Sequence, residues 1–212
     1  MAEPRATPRL IGFADSVFTR AAQMGLHLDG RAYEFEAVNP FEPAGQQRLA
    51  PYTPFGRVPV WVDGAFVCYE APAILRALSG DLFPSGRAGA RVLQVSGIVQ
   101  SDVYTPLVRH VFAHGVYRAR HGLDADGRIL AEGLRAAPHV LGALDQIAAE
   151  GLVLDRTAVT AADCLLAPML AAFVAVPDGA TMLHGYTALQ RWYAWICAQA
   201  VFQQTTPPWA EG

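Results

Sequence analysis

The chain has 212 residues, of which 52% are hydrophobic and 17% are charged, a composition typical of a folded globular protein. Its net charge of -3, from 16 basic and 19 acidic residues, argues against a nucleic-acid-binding protein. Its three scattered cysteines predict neither a disulfide framework nor a C-x-x-C pair.

The N-terminal segment and the longest apolar run indicate where in the cell we expect the protein. Met1 to Pro8 lack the apolar stretch of a secretory signal. The longest apolar run, Cys164 to Pro177, is shorter than the roughly 20 residues that a bilayer requires. We therefore expect a cytoplasmic protein that does not contact a membrane.

The first 80 or so residues alternate strand-like and helix-like segments. Arg9 to Phe13 is an apolar, strand-like run, and Ser16 opens a stretch with apolar residues at helical spacing. Arg31 to Val38 alternates aromatic and charged residues, which predicts a second strand. Asn39 to Phe55 is a proline-rich connection.

A β-hairpin and a helix follow. Val58 to Val62 and Ala65 to Cys68 are strand-like, and Asp63 and Gly64 between them predict a tight turn. Glu70 to Leu78 is helical in pattern. The order β, α, β, hairpin, α predicts an α+β, thioredoxin-like fold, with the first two strands parallel and the hairpin antiparallel.

Beyond a segment rich in glycine, the chain is helical in pattern. We expect a thioredoxin-like domain over residues 1–80, a linker over 81–89 and an all-α domain over 90–212. Pro106 and Pro138 predict kinks or short breaks. The predicted helices span Ala90 to Tyr117, Asp126 to Glu150, Thr160 to Val176 and Tyr186 to Ala200.

Three segments of the first domain carry candidate chemistry. A cis bond between Val58 and Pro59 would leave the backbone of Val58 free to pair with an extended peptide, while the alternative is an ordinary strand-entry proline. Glu70 and the amides of a helix that begins with Pro72 suit the charged ends of an amino-acid group. Equally, Glu70 is an ordinary first-turn acid. Ser16 has the default role of a helix N-cap.

Together these segments resemble the glutathione transferase family over nearly the whole chain. Residues 10–20 are similar to the family's serine-type pattern L-Y-G-x-x-x-S-P-x-x-R. Residues 53–61 resemble its motif N-P-x-G-K-V-P-x-L, and residues 70–74 resemble its motif E-S-x-A-I. Thr160 and Asp163 match the family's capping box before a hydrophobic helix. Residues 186–192 and 202–207 resemble its last helix and tail.

The resemblance implies a bacterial-type cytosolic enzyme with a serine active site. In such an enzyme Ser16 donates a hydrogen bond to the sulfur of glutathione, the co-substrate, and stabilises the thiolate. The remaining implied glutathione-binding residues are Arg57, Val58, Pro59, Glu70 and Ala71. The implied acceptor is a small hydrophobic electrophile, as in detoxification, and the implied assembly is a homodimer.

Other activating residues fit less well. Tyrosine-type members need a tyrosine in the first strand, where Ile11 and Phe13 stand, and cysteine-type members need a cysteine that does not occur before Cys68. Thr19 is a distant second to Ser16. An isomerase of the zeta type would need a Ser-Ser-Cys motif at residues 15–17, which read Asp-Ser-Val.

Two departures from the family pattern affect the expected site. Ala71 replaces the serine whose hydroxyl helps to bind the γ-glutamyl carboxylate, which would weaken binding by about 1.5 to 3 kcal/mol. Val17 replaces a common proline. The departure at Ala71 motivates an alternative, a weakly active or inactive protein of the same fold that binds ligands or partners.

The first helix of the second domain offers residues for the electrophile. Tyr104, Val108 and Phe112 are candidates there, although core positions are the simpler interpretation. Asp102 and Gln100 are candidates to reach glutathione across a dimer. His110 and His114, with His121 nearby, lack an H-E-x-x-H frame and an evident third ligand, so we expect no metal.

Overall fold

A four-stranded sheet forms in the first third of the chain in this computed structural model, which describes residues 7–210. The interpretation of residues 1–6 as lacking a signal therefore lies outside the described residues. The strands of the sheet are β1 (Arg9–Gly12), β2 (Glu34–Ala37), β3 (Val60–Asp63) and β4 (Phe66–Tyr69). The sheet order is β2-β1-β3-β4, with β1 parallel to β2 and with β3 antiparallel to both β1 and β4. This confirms the predicted thioredoxin-like α+β fold.

Helices cover both faces of the sheet because its strands alternate apolar side chains between them. Leu10 and Trp61 belong to a cluster with residues of α1 (Val17–Asp29) and α3 (Ala71–Leu78). Ile11, Val60 and Val62 cluster instead with Leu49, at the end of α2 (Pro43–Leu49).

Two local predictions in this domain were wrong. The connection Asn39 to Phe55 contains α2, which starts with Pro43, where a proline's missing N–H has no cost. The hairpin turn consists of Gly64 and Ala65, because Asp63 still pairs with Phe66. Gly64 has a φ of 61°, which glycine adopts without strain.

The rest of the described chain is helical, which confirms the prediction that the second half of the protein is all-α. No helix between residues 7 and 210 has the length and apolarity that crossing a membrane demands. In order, the elements are α4 (Gly86–Ile98), a π-helical segment (Val99–Tyr117), α5 (Arg118–Arg120), α6 (Gly127–Glu150), α7 (Ala161–Val174), α8 (Pro177–Leu183), α9 (Thr187–Cys197), α10 (Ala200–Gln203) and a 3-10 turn (Pro208–Ala210).

Neither Pro106 nor Pro138 interrupts the helix in which it lies. Pro106 lies inside the π-helical segment, whereas α6 continues through Pro138 without a break. Gly133 of α6 is buried where the two helices meet, and a Cβ there would lie 2.7 Å from the carbonyl oxygen of Pro106. The absence of a side chain at Gly133 therefore allows α6 to approach the π-helical segment closely.

Helix α7 is the centre of the main core. Every residue from Ala161 to Phe173 is buried, and Val17 of α1 and Leu75 of α3 belong to the same cluster. Thr160 and Asp163 form the predicted capping box, with the Thr160 N–H donating to Asp163 Oδ2 at 2.8 Å. The indole N–H of Trp192 donates to Asp163 Oδ1 at 2.6 Å, so one buried carboxylate serves both groups.

The change Asp163→Ala is expected to lower the free energy of unfolding by about 2 to 4 kcal/mol, because it leaves the buried indole N–H of Trp192 and the part-buried N–H of Thr160 without an acceptor and removes half of the capping box. Asp178→Ala is the matched control, an exposed acid in the first turn of α8, and should cost less than about 0.5 kcal/mol. Chemical denaturation measures both. Equal effects of the two changes would contradict this role for Asp163.

Candidate functional site

The sheet register brings the candidate segments to one edge. Ile11 pairs with Val60, and Val60 pairs with Tyr69, so the end of β1, the beginning of β3 and the end of β4 form one row. The chain segments just beyond that row carry Ser16, Val58 and Glu70. Ile11 and Tyr69, which are far apart in the chain, thus lie in one row of the sheet, and the three candidate segments extend from the same edge.

Ser16 is the N-cap of α1, as its default role predicts. Its Oγ accepts a hydrogen bond from the Thr19 N–H at 3.2 Å. Its hydroxyl donates no hydrogen bond to any residue between 7 and 210, and its side chain is half-buried, so the O–H is available to an external acceptor. Thr19 is fully buried, and its Oγ1 accepts from the Phe13 N–H, which leaves Ser16 as the accessible hydroxyl of the pair.

The backbone before β3 is an open edge. The bond between Val58 and Pro59 is cis. Within the part of the chain that the structure describes, neither the N–H nor the C=O of Val58 takes part in a backbone hydrogen bond. An extended peptide can pair with both groups, as in strand addition.

Glu70 and Arg57 form an ion pair at this edge. The Nη2 atom of Arg57 donates to Glu70 Oε1 at 2.7 Å, with side chains 64% and 43% exposed, so the pair itself contributes at most about 1 kcal/mol. Glu70 has a φ of 72°, an uncommon conformation for a residue with a side chain. Its carboxylate is held at the start of α3.

The first turn of α3 is open to an anion. Between residues 7 and 210, no side chain caps this turn, and Pro72 lies within it. The unpaired amides and the helix dipole favour a carboxylate there. Ala71 is 2% exposed and supplies no side-chain donor. The Glu70 carboxylate and the free amides of this turn thus lie side by side. The carboxylate can accept from the ammonium of an amino-acid group, and the amides can donate to its carboxylate.

A side-chain contact that the sequence did not reveal connects the Ser16 loop to the helical half. Asp15 Oδ2 lies 3.0 Å from Nε2 of His121, and the His121 ring stacks on Tyr117 with 4.2 Å between ring centroids. Burial, and then the charge of Asp15, raise the pKa of Tyr117. Since 106 positions separate Asp15 from His121, no local pattern could have paired them.

The residues proposed for the electrophile occupy different environments. Tyr104 is half-buried, and its ring lies 5.0 Å from that of Phe18. Val108 and Phe112 are 7% and 3% exposed and belong to the main core, with Phe112 packed against Trp209 at 4.7 Å. Tyr104 is therefore the most accessible of the three.

The histidines and thiols offer no second centre. His114 Nδ1 accepts from the Asp126 N–H at 2.8 Å, and burial lowers its pKa. Among residues 7–210, no three His, Cys, Asp or Glu side chains are grouped closely enough to hold a metal ion. Burial raises the pKa of Cys68, Cys164 and Cys197, so these thiols stay protonated at neutral pH.

Two family models match the chain. The model "Glutathione S-transferase, N-terminal domain" matches residues 10–81, and "Glutathione S-transferase, C-terminal domain" matches residues 118–194. Together they cover more than half of the chain. No curated protein matches it in sequence.

Solved structures share the fold at low sequence identity. The apo form of a glutathione S-transferase III is 22% identical, with a TM-score of 0.81 over 96% of this chain and 99% of its own. A theta class enzyme from the citrus canker pathogen Xanthomonas axonopodis pv. citri, solved with glutathione bound, is 22% identical, with a TM-score of 0.77 over 94% and 96%. Maize glutathione S-transferase I, in complex with an atrazine glutathione conjugate, is 19% identical, with a TM-score of 0.76 over 94% and 96%.

The change His121→Ala is expected to increase amide hydrogen exchange in residues 13–16 by several-fold, because it removes the contact with Asp15 that connects this loop to the helical half. Global stability should fall by no more than about 1 kcal/mol, since His121 is largely exposed. The control is His139→Ala, an exposed histidine of α6. Unchanged exchange in the loop would show that the contact does not restrain it.

Proposed function

Because the chain belongs to the glutathione transferase family, we propose that it is an enzyme that joins the thiol of glutathione to a small apolar electrophile. One observation carries the proposal. A free hydroxyl at Ser16, an unpaired backbone at Val58 and a carboxylate at Glu70 lie at one edge of the sheet. This is the arrangement that a tripeptide with a central cysteine needs.

Ser16 stabilises the thiolate. A free thiol with a pKa near 8.5 is mostly protonated at neutral pH, and the thiolate is the nucleophile. The Ser16 hydroxyl donates a hydrogen bond to the sulfur while its oxygen continues to cap α1, and the dipole of α1 adds to the effect. The serine stays neutral and does not attack the electrophile.

The rest of the tripeptide binds along the same edge. Val58 pairs main chain to main chain with the cysteinyl residue, next to Pro59. Glu70 accepts from the γ-glutamyl ammonium, and Arg57 holds the Glu70 carboxylate in place. The amides at Ala71 bind the γ-glutamyl carboxylate without help from a side chain.

The electrophile approaches from the helical half. Tyr104 is its first contact, with Val108 and Phe112 forming the apolar support behind it. Positioning of the thiolate against the electrophile supplies the remaining rate acceleration. We further propose that the enzyme is a cytoplasmic homodimer that acts in detoxification.

Replacing Ser16 tests the mechanism with chlorodinitrobenzene as the acceptor. Both Ser16→Ala and Ser16→Gly should lower kcat/KM by about 10²-fold, as expected when a donor to a developing anion is lost. Glycine is tolerated at an N-cap, so Ser16→Gly keeps α1 stable while it removes the hydroxyl. Ser16→Thr restores a hydroxyl and should retain most of the activity.

The pKa of bound glutathione distinguishes this role from a structural one. Thiolate absorbance against pH should show a higher pKa in Ser16→Gly than in the wild type, because the neutral thiol loses no stabilisation but the anion does. An unchanged pKa together with full activity would remove Ser16 from the mechanism.

Ala71→Ser tests how glutathione is held. The new serine hydroxyl should donate a hydrogen bond to the γ-glutamyl carboxylate. One hydrogen bond to a charged group should lower the Kd for glutathione by about tenfold or more. Calorimetry measures this, with the exposed Ala73→Ser, two positions on in α3, as the control that should leave the Kd unchanged. If the wild type binds no glutathione at millimolar concentration, the protein is instead a ligand-binding or interaction protein of this fold.

A further inference from the structure

The sheet order determines which segment faces the third residue of glutathione, given the binding mode proposed above. At the binding edge, the order β2-β1-β3-β4 places the segment after β2 beside the Ser16 loop, and then Val58 and Glu70. A γ-glutamyl group at Glu70 and a cysteinyl residue at Val58 therefore direct the third residue of an extended peptide toward the segment after β2, residues 39–46.

Two contacts hold residues 39–46 beside the site. The ring of Phe41 lies 5.9 Å from that of Phe13, which belongs to the Ser16 loop. The side-chain amide of Gln46 donates to the carbonyl oxygen of Gly56 at 3.0 Å, just before β3. The segment thus lies against both the loop and the strand that would hold the cysteinyl residue.

The charge on this segment is negative. Glu42 is the one charged residue between 39 and 46. Its side chain is exposed, and its Oε1 accepts from the Asn39 side-chain amide at 2.9 Å. Glu42 is also the N-cap residue of α2, so its own carboxylate lies at the helix end that would otherwise favour an external anion.

The cations around this edge already have carboxylate partners. The chain contains no lysine, so its side-chain cations are arginines and histidines. Three of them lie on the elements that surround the edge, at the end of α2, before β3 and opposite the Ser16 loop. Arg48, Arg57 and His121 contact Glu36, Glu70 and Asp15, respectively. A glycine carboxylate would therefore meet the repulsion of Glu42 without a free cation to offset it.

We propose, on the basis of the function proposed above, that the enzyme prefers γ-glutamylcysteinyl thiols whose C-terminal carboxylate is converted to an amide, and that Glu42 sets this preference. An amide with a cationic substituent binds most tightly, because its charge lies near the Glu42 carboxylate. The ring of Phe41, which is 69% exposed, offers a face on which that cation packs. A neutral amide comes next because it avoids the repulsion, and glutathione itself binds least tightly.

The test compares three ligands that differ only at the C-terminus. They are S-methylglutathione, its C-terminal amide and its amide with N,N-dimethylethylenediamine, which carry a negative, a neutral and a positive end. Calorimetry should give a Kd that falls about twofold at each step, as expected for exposed charges. The differences should largely disappear in 1 M salt, where the Debye length is about 3 Å.

Variants at Glu42 assign the preference to this residue. Glu42→Gln should bring the three Kd values together, and Glu42→Lys should reverse their order, so that S-methylglutathione binds most tightly. The Glu42 side chain makes no hydrogen bond that caps α2, so both variants should fold. The control is Glu34→Lys, the same charge change at an exposed acid at the opposite end of β2, which should keep the wild-type order.

The outcomes separate this preference from the proposed function. If the wild type binds S-methylglutathione as tightly as the amides or more tightly, or if Glu42→Lys keeps the wild-type order, the preference is wrong and the glutathione site stands. If none of the three ligands binds at millimolar concentration, the proposed function and the preference are both overturned.

Discussion

The burial of α7 on all sides is the constraint on which the rest of the structure depends. A helix that is apolar all round is stable in a water-soluble protein only when other elements cover every face. Here α4, the π-helical segment, α8 and α9 cover it from the helical half, and α1 and α3 cover it from the sheet domain. The two halves therefore share one core, and their relative placement is set by packing.

That shared core also fixes the candidate site. Because α1 packs on α7, its N-cap Ser16 is held near the helical half, and the contact between Asp15 and His121 adds a second connection beside it. The remaining groups come from the sheet. Val58 and Glu70 flank paired residues of β3 and β4, so strand register sets their positions. A chemical site assembled from loops thus rests on two rigid supports, a helix packed in the core and a sheet edge.

The order of elements, and the segments that carry the candidate site, were predictable where the signal is local. Short apolar runs, one alternating segment and a turn signal predicted the strands, and Thr160 and Asp163 predicted the capping box. The motifs around Ser16, Val58 and Glu70 marked three segments that the register brings to one edge.

Other features could not be predicted because their causes are not local. Helix α2 has seven residues and only two buried ones, so it carries no apolar period. The π-helical segment differs from an α-helix in its backbone hydrogen-bond register, and it packs closely on Gly133 of α6. The amino-acid composition of the segment indicates neither feature. The partner of Asp15 lies more than 100 positions away along the chain.

The backbone of Glu70 has a consequence for redesign. Its φ of 72° belongs to a region that glycine favours, and an ordinary residue held there costs on the order of 1 to 3 kcal/mol. An algorithm that optimises each position for its backbone geometry would therefore select glycine at this position and report a stabilised protein. The same choice would delete the carboxylate that the proposed glutathione site requires. Stability and recognition compete at this residue, so a thermostable variant of the protein should be sought at other positions.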